Sequence, residues 1–323
     1  MIRAEDLKGL CAMMPAFTTA DGDSINATAT VDTENLAKAV DRMIADGANM
    51  IATTGSFGEF HTLLWEEQKT LIEATVQTVR KRVPLFIGIT ALNTREALMK
   101  IRFAQEAGAD GVLTGVPHYY PSTVDNAVQY YLDVADTFPK LGVMIYHNPL
   151  LHRITIPVDA FHRLVTRPNI VAMKDSHRDT FSFMKLMDIV GGKISVFVFQ
   201  AQTHPYMSFG AAGCWSIFAW MGPWPVLRLL DACAVGDFAT AKTICVELDE
   251  VSQAGGKLQF ELLWRENSSK LAINEAGYCH VGPLRPPFRH VPAEVQESAK
   301  KIAQAWNRLV DKYRPAAPRA KVG

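Results

Sequence analysis

Several classes of function have little to rest on in this 323-residue chain. Its thirty-three Lys and Arg balance thirty-three Asp and Glu. Neither a basic face for nucleic acid nor an acidic tail for a cationic partner is indicated. No run approaches the roughly 18 consecutive apolar residues of a membrane-spanning helix. The start, Met1-Ile2-Arg3-Ala4-Glu5-Asp6, carries charges where a secretory leader needs apolar residues. The five cysteines, at positions 11, 214, 233, 245 and 279, have no CxxC spacing. They read as reduced core thiols of a cytoplasmic protein. The nine histidines are scattered, without an HExxH pair, so no metal ligands are expected. No Gly-rich phosphate turn follows the first strand-like run, which argues against a doubly wound open sheet.

What is present is an apolar chain, 48% hydrophobic, in which short β-rich runs alternate with amphipathic stretches. The strand candidates are Leu10–Ala16, Met50–Thr54, Leu85–Thr90, Gly111–Val116, Gly142–His147, Ile170–Lys174, Ile194–Phe199 and Cys214–Phe218. They are apolar nearly throughout, as parallel strands covered on both faces are. Between them Thr33–Ala45, Glu66–Arg80, Thr94–Ala107 and Thr123–Phe138 repeat apolar residues at helical spacing. Gly47 and Gly108 stand where helix C-caps are expected. Eight such units in a row predict an α/β fold, a (β/α)₈ TIM barrel over residues 1–235. Asp237–Gln253, Lys257–Glu275 and Glu294–Tyr313 predict a C-terminal helical extension over 236–323, in the same structural unit. The tail Arg314–Arg319 is expected to fray.

Lys174 ends the apolar run Ile170-Val171-Ala172-Met173. Burying an ammonium costs several kcal/mol unless it is paired or neutralised. A neutral lysine is an amine nucleophile that forms a Schiff base with a ketone. Desolvation is expected to bring its pKa from about 10.4 towards roughly 7–8. The preceding run ends in Tyr146. Reactive groups of a barrel stand at the C-terminal ends of its strands, and neighbouring strands lie about 4.8 Å apart. The two side chains can therefore share one molecule. Strand two leads into Gly55-Ser56-Phe57-Gly58-Glu59, whose glycines can leave backbone N–H groups pointing at an anion. Together these describe a site for an α-keto acid, with its carboxylate on Ser56 and Phe57 and its ketone at Lys174. Glu59 reads as structural, accepting donors of its own loop.

With Gly55–Glu59, Tyr146-His147-Asn148-Pro149 and Lys174-Asp175-Ser176 in that order, the chain resembles the dihydrodipicolinate synthase / N-acetylneuraminate lyase superfamily over almost its whole length. The resemblance implies a class I pyruvate-type aldolase or lyase, usually a tetramer. It makes Lys174 the Schiff-base residue, Tyr146 the proton relay, and Ser56 and Phe57 the carboxylate cradle. The synthase branch has an arginine five residues after the motif tyrosine, where this chain has Leu151. Sialic acid lyases need a more polar site than Phe57, Phe60, His118, Tyr119, Tyr120, Trp215, Phe218 and Trp220 offer. Thr90–Glu96, Tyr146-x-Asn148-Pro149, Trp215-Ser216 and Gly282-Pro283-x-Arg285-Pro286-Pro287 are similar to the hydratase-aldolases of polycyclic aromatic breakdown.

That branch implies cleavage of a substituted trans-benzylidenepyruvate to an aromatic aldehyde and pyruvate, with no cofactor beyond the covalent imine at Lys174. The candidate catalytic residues are Lys174, Tyr146 and Asn148. The candidate substrate-binding residues are Gly55, Ser56, Phe57, Tyr119, Trp215 and Ser216. Arg153, His152 and Arg265 are candidate partners for an anionic ring substituent, and His177 and His204 for polar groups. The expected partners are an aromatic keto acid and pyruvate, without nucleic acid or membrane, in a cytoplasmic homotetramer. The alternatives are another aldolase or keto-acid dehydratase of the superfamily, and a non-catalytic barrel that binds a keto acid.

Overall fold

The computed structural model describes residues 1–175, 177–256 and 262–316, with the backbone alone for 262–268. Ser176, the first residues of the expected Lys257–Glu275 helix, the Arg265 side chain and the tail from 317 lie outside the described residues. Eight parallel strands close into a barrel in chain order. They are β1 (Gly9–Met13), β2 (Met50–Ala52), β3 (Leu85–Gly88), β4 (Gly111–Thr114), β5 (Gly142–His147), β6 (Ile170–Asp175), β7 (Ser195–Phe199) and β8 (Gly213–Ser216). The closure is made by β8 pairing with β1.

The helices of the barrel are α1 (Thr33–Ala45), α2 (Trp65–Val79), α3 (Thr94–Ala107), α4 (Val124–Thr137), α5 (Pro149–His152), α6 (Phe161–Leu164), α7 (Thr180–Val190), α8 (Thr203–Met207) and α9 (Trp224–Ala234). Their starts follow from local chemistry. Asp32, Asn93 and Thr123 accept the backbone N–H of Asn35, Glu96 and Asn126, at 2.9, 3.0 and 3.2 Å, which satisfies donors the first turn leaves unpaired. Gly108 takes the left-handed conformation (φ 104°) as the C-cap of α3. In α1, by contrast, Asp46 is the cap, and Gly47 (φ 111°) carries the reversal one residue later.

Most strands are shorter than the apolar runs that announce them. Thr54, Thr90, Val116 and Phe218 follow the last paired residues yet are buried. Apolar continuity reports burial, not hydrogen-bonded pairing, and at the barrel rim the two part company.

The extension consists of α10 (Phe238–Ala254), α11 (Leu262–Ala276) and α12 (Ala293–Tyr313). It closes over the carboxyl end of the barrel, since Asp249 and Ser252 of α10 and Ser269 of α11 line the cavity at that end. Among the described residues no helix is long and apolar enough to cross a membrane.

A buried ion cluster fastens the extension to the β2 loop. Glu59 Oε2 accepts from Lys270 Nζ at 2.8 Å and from Arg285 Nη1 at 2.9 Å. Lys270 also donates to Thr18 Oγ1 and the Pro283 carbonyl, at 2.8 and 2.9 Å. Arg285 Nη2 donates to the carbonyls of Phe17 and Thr30, at 3.0 and 2.7 Å. Glu59 is structural, as its sequence suggests, but its donors come from the far end of the chain and not from its own loop. Burial pushes the Lys270 ammonium down to about 8, against the pull of Glu59. Replacing Glu59 with Gln removes the carboxylate that two buried cations share. Breaking such a cluster costs about 3–5 kcal/mol, and urea unfolding of Glu59→Gln is expected to show a loss of that size.

Candidate active site

The site is built on β5 and β6. Tyr146 is in register with Lys174, and His147 with Asp175. Alternation along a strand sends neighbouring side chains to opposite faces. Tyr146 and Lys174 accordingly face one cavity of about 430 Å³, while His147 and Asp175 are absent from its lining. Lys174 is 7% exposed, and its Nζ lies 5.5 Å from the centre of the Tyr146 ring. The Tyr146 phenol is 2.8 Å from Ser56 Oγ, where either oxygen can donate. Its ring stacks on Trp215 with centroids 6.0 Å apart and meets His152 edge-on at 5.2 Å.

The β2 loop reaches the phenol through a tight double reversal. Thr54 (φ 44°) and Glu59 (φ 52°) both occupy the left-handed region without being glycine. A Cβ at Gly58 would stand 2.7 Å from the Thr54 nitrogen, so only glycine fits there. Among the described residues, the N–H groups of Ser56 and Phe57 have no backbone acceptor. These two residues line the same cavity as Lys174, and backbone N–H groups without an acceptor can receive an anion. Gly55 is not in the lining. A Cβ there would lie 3.1 Å from Met13 Cε, the end of a flexible side chain, and 3.4 Å from Tyr146 Cε1.

Asn148 is buried and lines the cavity. Its carbonyl accepts from the backbone N–H of His152 at 2.8 Å, while its side chain makes no cap bond to α5. Phe57, Phe199, Trp215 and Phe218 supply aromatic wall. The sequence offered no direct sign of Phe199, or of Asp249, Ser252 and Ser269. The last three belong to helices whose apolar periodicity says which face is buried but not against what. His177 lines the cavity as well, whereas His204 does not.

Besides Gly55, two expected substrate contacts are placed elsewhere. Tyr119 is 71% exposed, packs on Tyr120 at 5.4 Å and is absent from the cavity lining. Its loop runs outward from β4, so within one chain it does not reach the site. Ser216 is fully buried on the face of β8 opposite Trp215. It donates to Gln200 Oε1 at 2.7 Å and accepts from the Ala219 N–H at 3.0 Å. Both its bonds are intramolecular.

Two of the expected anion partners, Arg153 and His152, are also absent from the cavity lining. The Arg153 guanidinium donates to the Tyr119 carbonyl at 3.0 Å. Burial, with His118 nearby, pushes His152 down to about 3, so it is neutral at physiological pH. Trp220 is core, edge-on to Phe17 at 6.1 Å. Among the described residues no group of three or more His, Cys, Asp or Glu is arranged to hold a metal ion.

Fold and site together define a closed (β/α)₈ barrel with an inward lysine on its sixth strand, beside a tyrosine on its fifth. Residues 13–306 match the dihydrodipicolinate synthetase family, and the chain belongs to that family. It is an enzyme, as the members it matches are. It is 32% identical to the trans-O-hydroxybenzylidenepyruvate hydratase-aldolase of Pseudomonas aeruginosa, over 97% of this chain and 96% of that one. The trans-2'-carboxybenzalpyruvate hydratase-aldolase of Nocardioides sp. (strain KP7) is 26% identical over the same shares. The solved structure of PhdJ bound to substrate intermediate superposes with a TM-score of 0.92 at 26% identity, covering 97% of this chain and 99% of that one. The resemblance seen in the motifs is thereby borne out.

The placement of Ser216 has a measurable consequence. Ser216→Ala removes the bond to Gln200, whose Nε2 already lacks a partner among the described residues. A buried polar group stripped in this way costs about 1–3 kcal/mol. Chemical denaturation of Ser216→Ala is expected to show that loss.

Proposed function

We propose that this chain is a class I, imine-forming hydratase-aldolase, a carbon–carbon lyase that cleaves substituted trans-benzylidenepyruvates to an aromatic aldehyde and pyruvate. The observation that carries the reading is the in-register pair Tyr146 and Lys174, facing one cavity with Ser56, Asn148 and an aromatic wall. The substrates named for two relatives support the aromatic keto acid, and a cavity of about 430 Å³ falls in the range of small-molecule sites.

In the proposed reaction Lys174 attacks the ketone and water leaves, giving a protonated imine. The positive nitrogen draws electrons from the conjugated double bond. Water adds at the carbon next to the ring, oriented by Asn148 and Tyr146, and the neighbouring carbon takes a proton. Tyr146 then accepts the proton of the new hydroxyl. The bond between those two carbons breaks, the aldehyde departs, and its electron pair moves into the imine to form an enamine. Protonation and hydrolysis return Lys174 and pyruvate, so one water is consumed overall. The keto-acid carboxylate rests on the N–H groups of Ser56 and Phe57, and Trp215 walls the ring. The reaction needs no cofactor beyond the covalent imine. The same reading takes the chain as a cytoplasmic homotetramer acting in the breakdown of polycyclic aromatic hydrocarbons.

Borohydride with pyruvate is expected to add mass at Lys174 in the native chain and none in Lys174→Ala. An unmodified native chain, or turnover by Lys174→Ala, sinks the reading. Tyr146→Phe is expected to slow cleavage on the order of 10²–10⁴-fold, as loss of a positioned proton acceptor does. In the condensation direction, a panel of aldehydes with pyruvate is expected to favour aromatic over aliphatic partners.

A further inference from the structure

One residue beyond Tyr146 and Lys174, on the reverse face of the strands, lie two buried groups with no part in the proposed chemistry. His147 Nδ1 is 3.4 Å from Asp175 Oδ1. Asp175 Oδ2 is 2.7 Å from Arg178 Nε. Arg178 Nη2 donates to the Ile156 carbonyl at 2.7 Å, and the Ile156 N–H donates to His147 Nε2 at 3.1 Å. The circuit closes on itself and joins β5, β6 and the two loops that follow them. Asp175 Oδ1 also accepts the His177 N–H at 3.0 Å.

The protonation states follow from the geometry. His147 Nε2 is an acceptor, so the neutral ring carries its proton on Nδ1, aimed at the carboxylate. Burial holds His147 below its ordinary value. Burial raises Asp175, but the bond from His147, the Arg178 charge and the His177 N–H outweigh it and hold the carboxyl below its ordinary value.

A buried ion pair contributes little to stability beside an apolar replacement of the same volume. What this one fixes is geometry. His147 stands between Tyr146 and Asn148, Asp175 directly follows Lys174, and His177 lines the cavity. We propose that the circuit of His147, Asp175, Arg178 and Ile156 is a positioning device that holds the Lys174 amine against Tyr146 and Asn148. In it the link from His147 to Asp175, and not the bulk of the imidazole, sets the rate of imine formation. The inference rests on the imine-forming reading of Lys174.

Two variants separate the bonds of His147. His147→Asn puts an amide N–H near the place of Nδ1 and keeps the link to Asp175. His147→Gln puts a carbonyl near the place of Nε2, which keeps Ile156 and gives up Asp175. The rate of borohydride-trapped pyruvate addition at Lys174 is expected to stay near native in the Asn variant. In the Gln variant it is expected to fall about tenfold or more, the scale of a small misplacement of reacting groups, with thermal melts showing both folded. A native rate in the Gln variant, or an equal loss in the Asn variant, overturns the proposal. Asp175→Ala breaks the same link from its other end, and its trapping rate gives the same decision if the Gln variant does not fold. Competitive labelling of Lys174 by acetic anhydride, read by mass spectrometry, follows the amine without pyruvate. No pyruvate adduct in the native chain defeats the imine reading, while the labelling ratio of the two His147 variants still decides the circuit.

Discussion

The site depends on a one-residue irregularity in the pairing of β5 with β6. Val143 is in register with Ile170, but Met144 is in register with Ala172, so Val171 is the extra residue of a bulge. Without it Tyr146 would stand opposite Met173. Side chains alternate with a period of two, so a slip of one residue sends Lys174 to the other face of the sheet from Tyr146. The bulge brings phenol and amine to the same side and, by the same step, brings His147 opposite Asp175 behind them. Bulges re-aim side chains in this way next to active sites.

The opposite wall is fixed by different means. The loop from Gly55 to Glu59 is bracketed by two non-glycine residues in the left-handed region, a conformation that persists where the surroundings over-determine it. Those surroundings are Lys270 and Arg285, some two hundred residues later in the chain, whose charges converge on Glu59. The extension thus contributes twice. Its ion cluster holds the loop that carries Ser56 and Phe57, and its helices α10 and α11 add side chains to the cavity. A cradle of backbone N–H groups is useful only if it does not reorganise when charge arrives, and the cluster supplies that stiffness from outside the barrel.

Much of this was legible in the sequence, for reasons that also mark the limits. Lys174 stands out because a cation at the end of an apolar strand is costly, and Tyr146 because it ends the preceding run. Asn148, Ser56, Phe57 and Trp215 follow from proximity to those strand ends. Ser216 is adjacent to Trp215 in the chain, yet alternation turns it away, and the shortness of β8 hides that alternation. Tyr119 is legible as an aromatic on a rim loop, but a loop's direction is set by tertiary contacts. The bulge at Val171 leaves no trace in composition, because the residue is as apolar as its neighbours. His152 is an ordinary loop histidine in sequence and becomes a buried, neutral ring only because Gly115 has no side chain: a Cβ there would lie 2.2 Å from His152 Cε1.

That last substitution of space for charge bears on the chemistry. A protonated His152 against the Tyr146 ring would favour the phenolate and repel a cation at Lys174. Burial instead keeps both His152 and His118 below their ordinary values, and the aromatic wall carries no charge of its own. Ser56, 2.8 Å from the phenol oxygen, and the nitrogen of Lys174 then act on Tyr146 without a charge on His152. A charge on that nitrogen is not opposed from the His152 ring, and, buried as Lys174 is, it acts with more strength than it would in water. On the proposed mechanism that charge is the electron sink for both water addition and bond cleavage. A phenol set among uncharged aromatic rings is consistent with an enzyme whose positive charge is made and dissolved within each turnover.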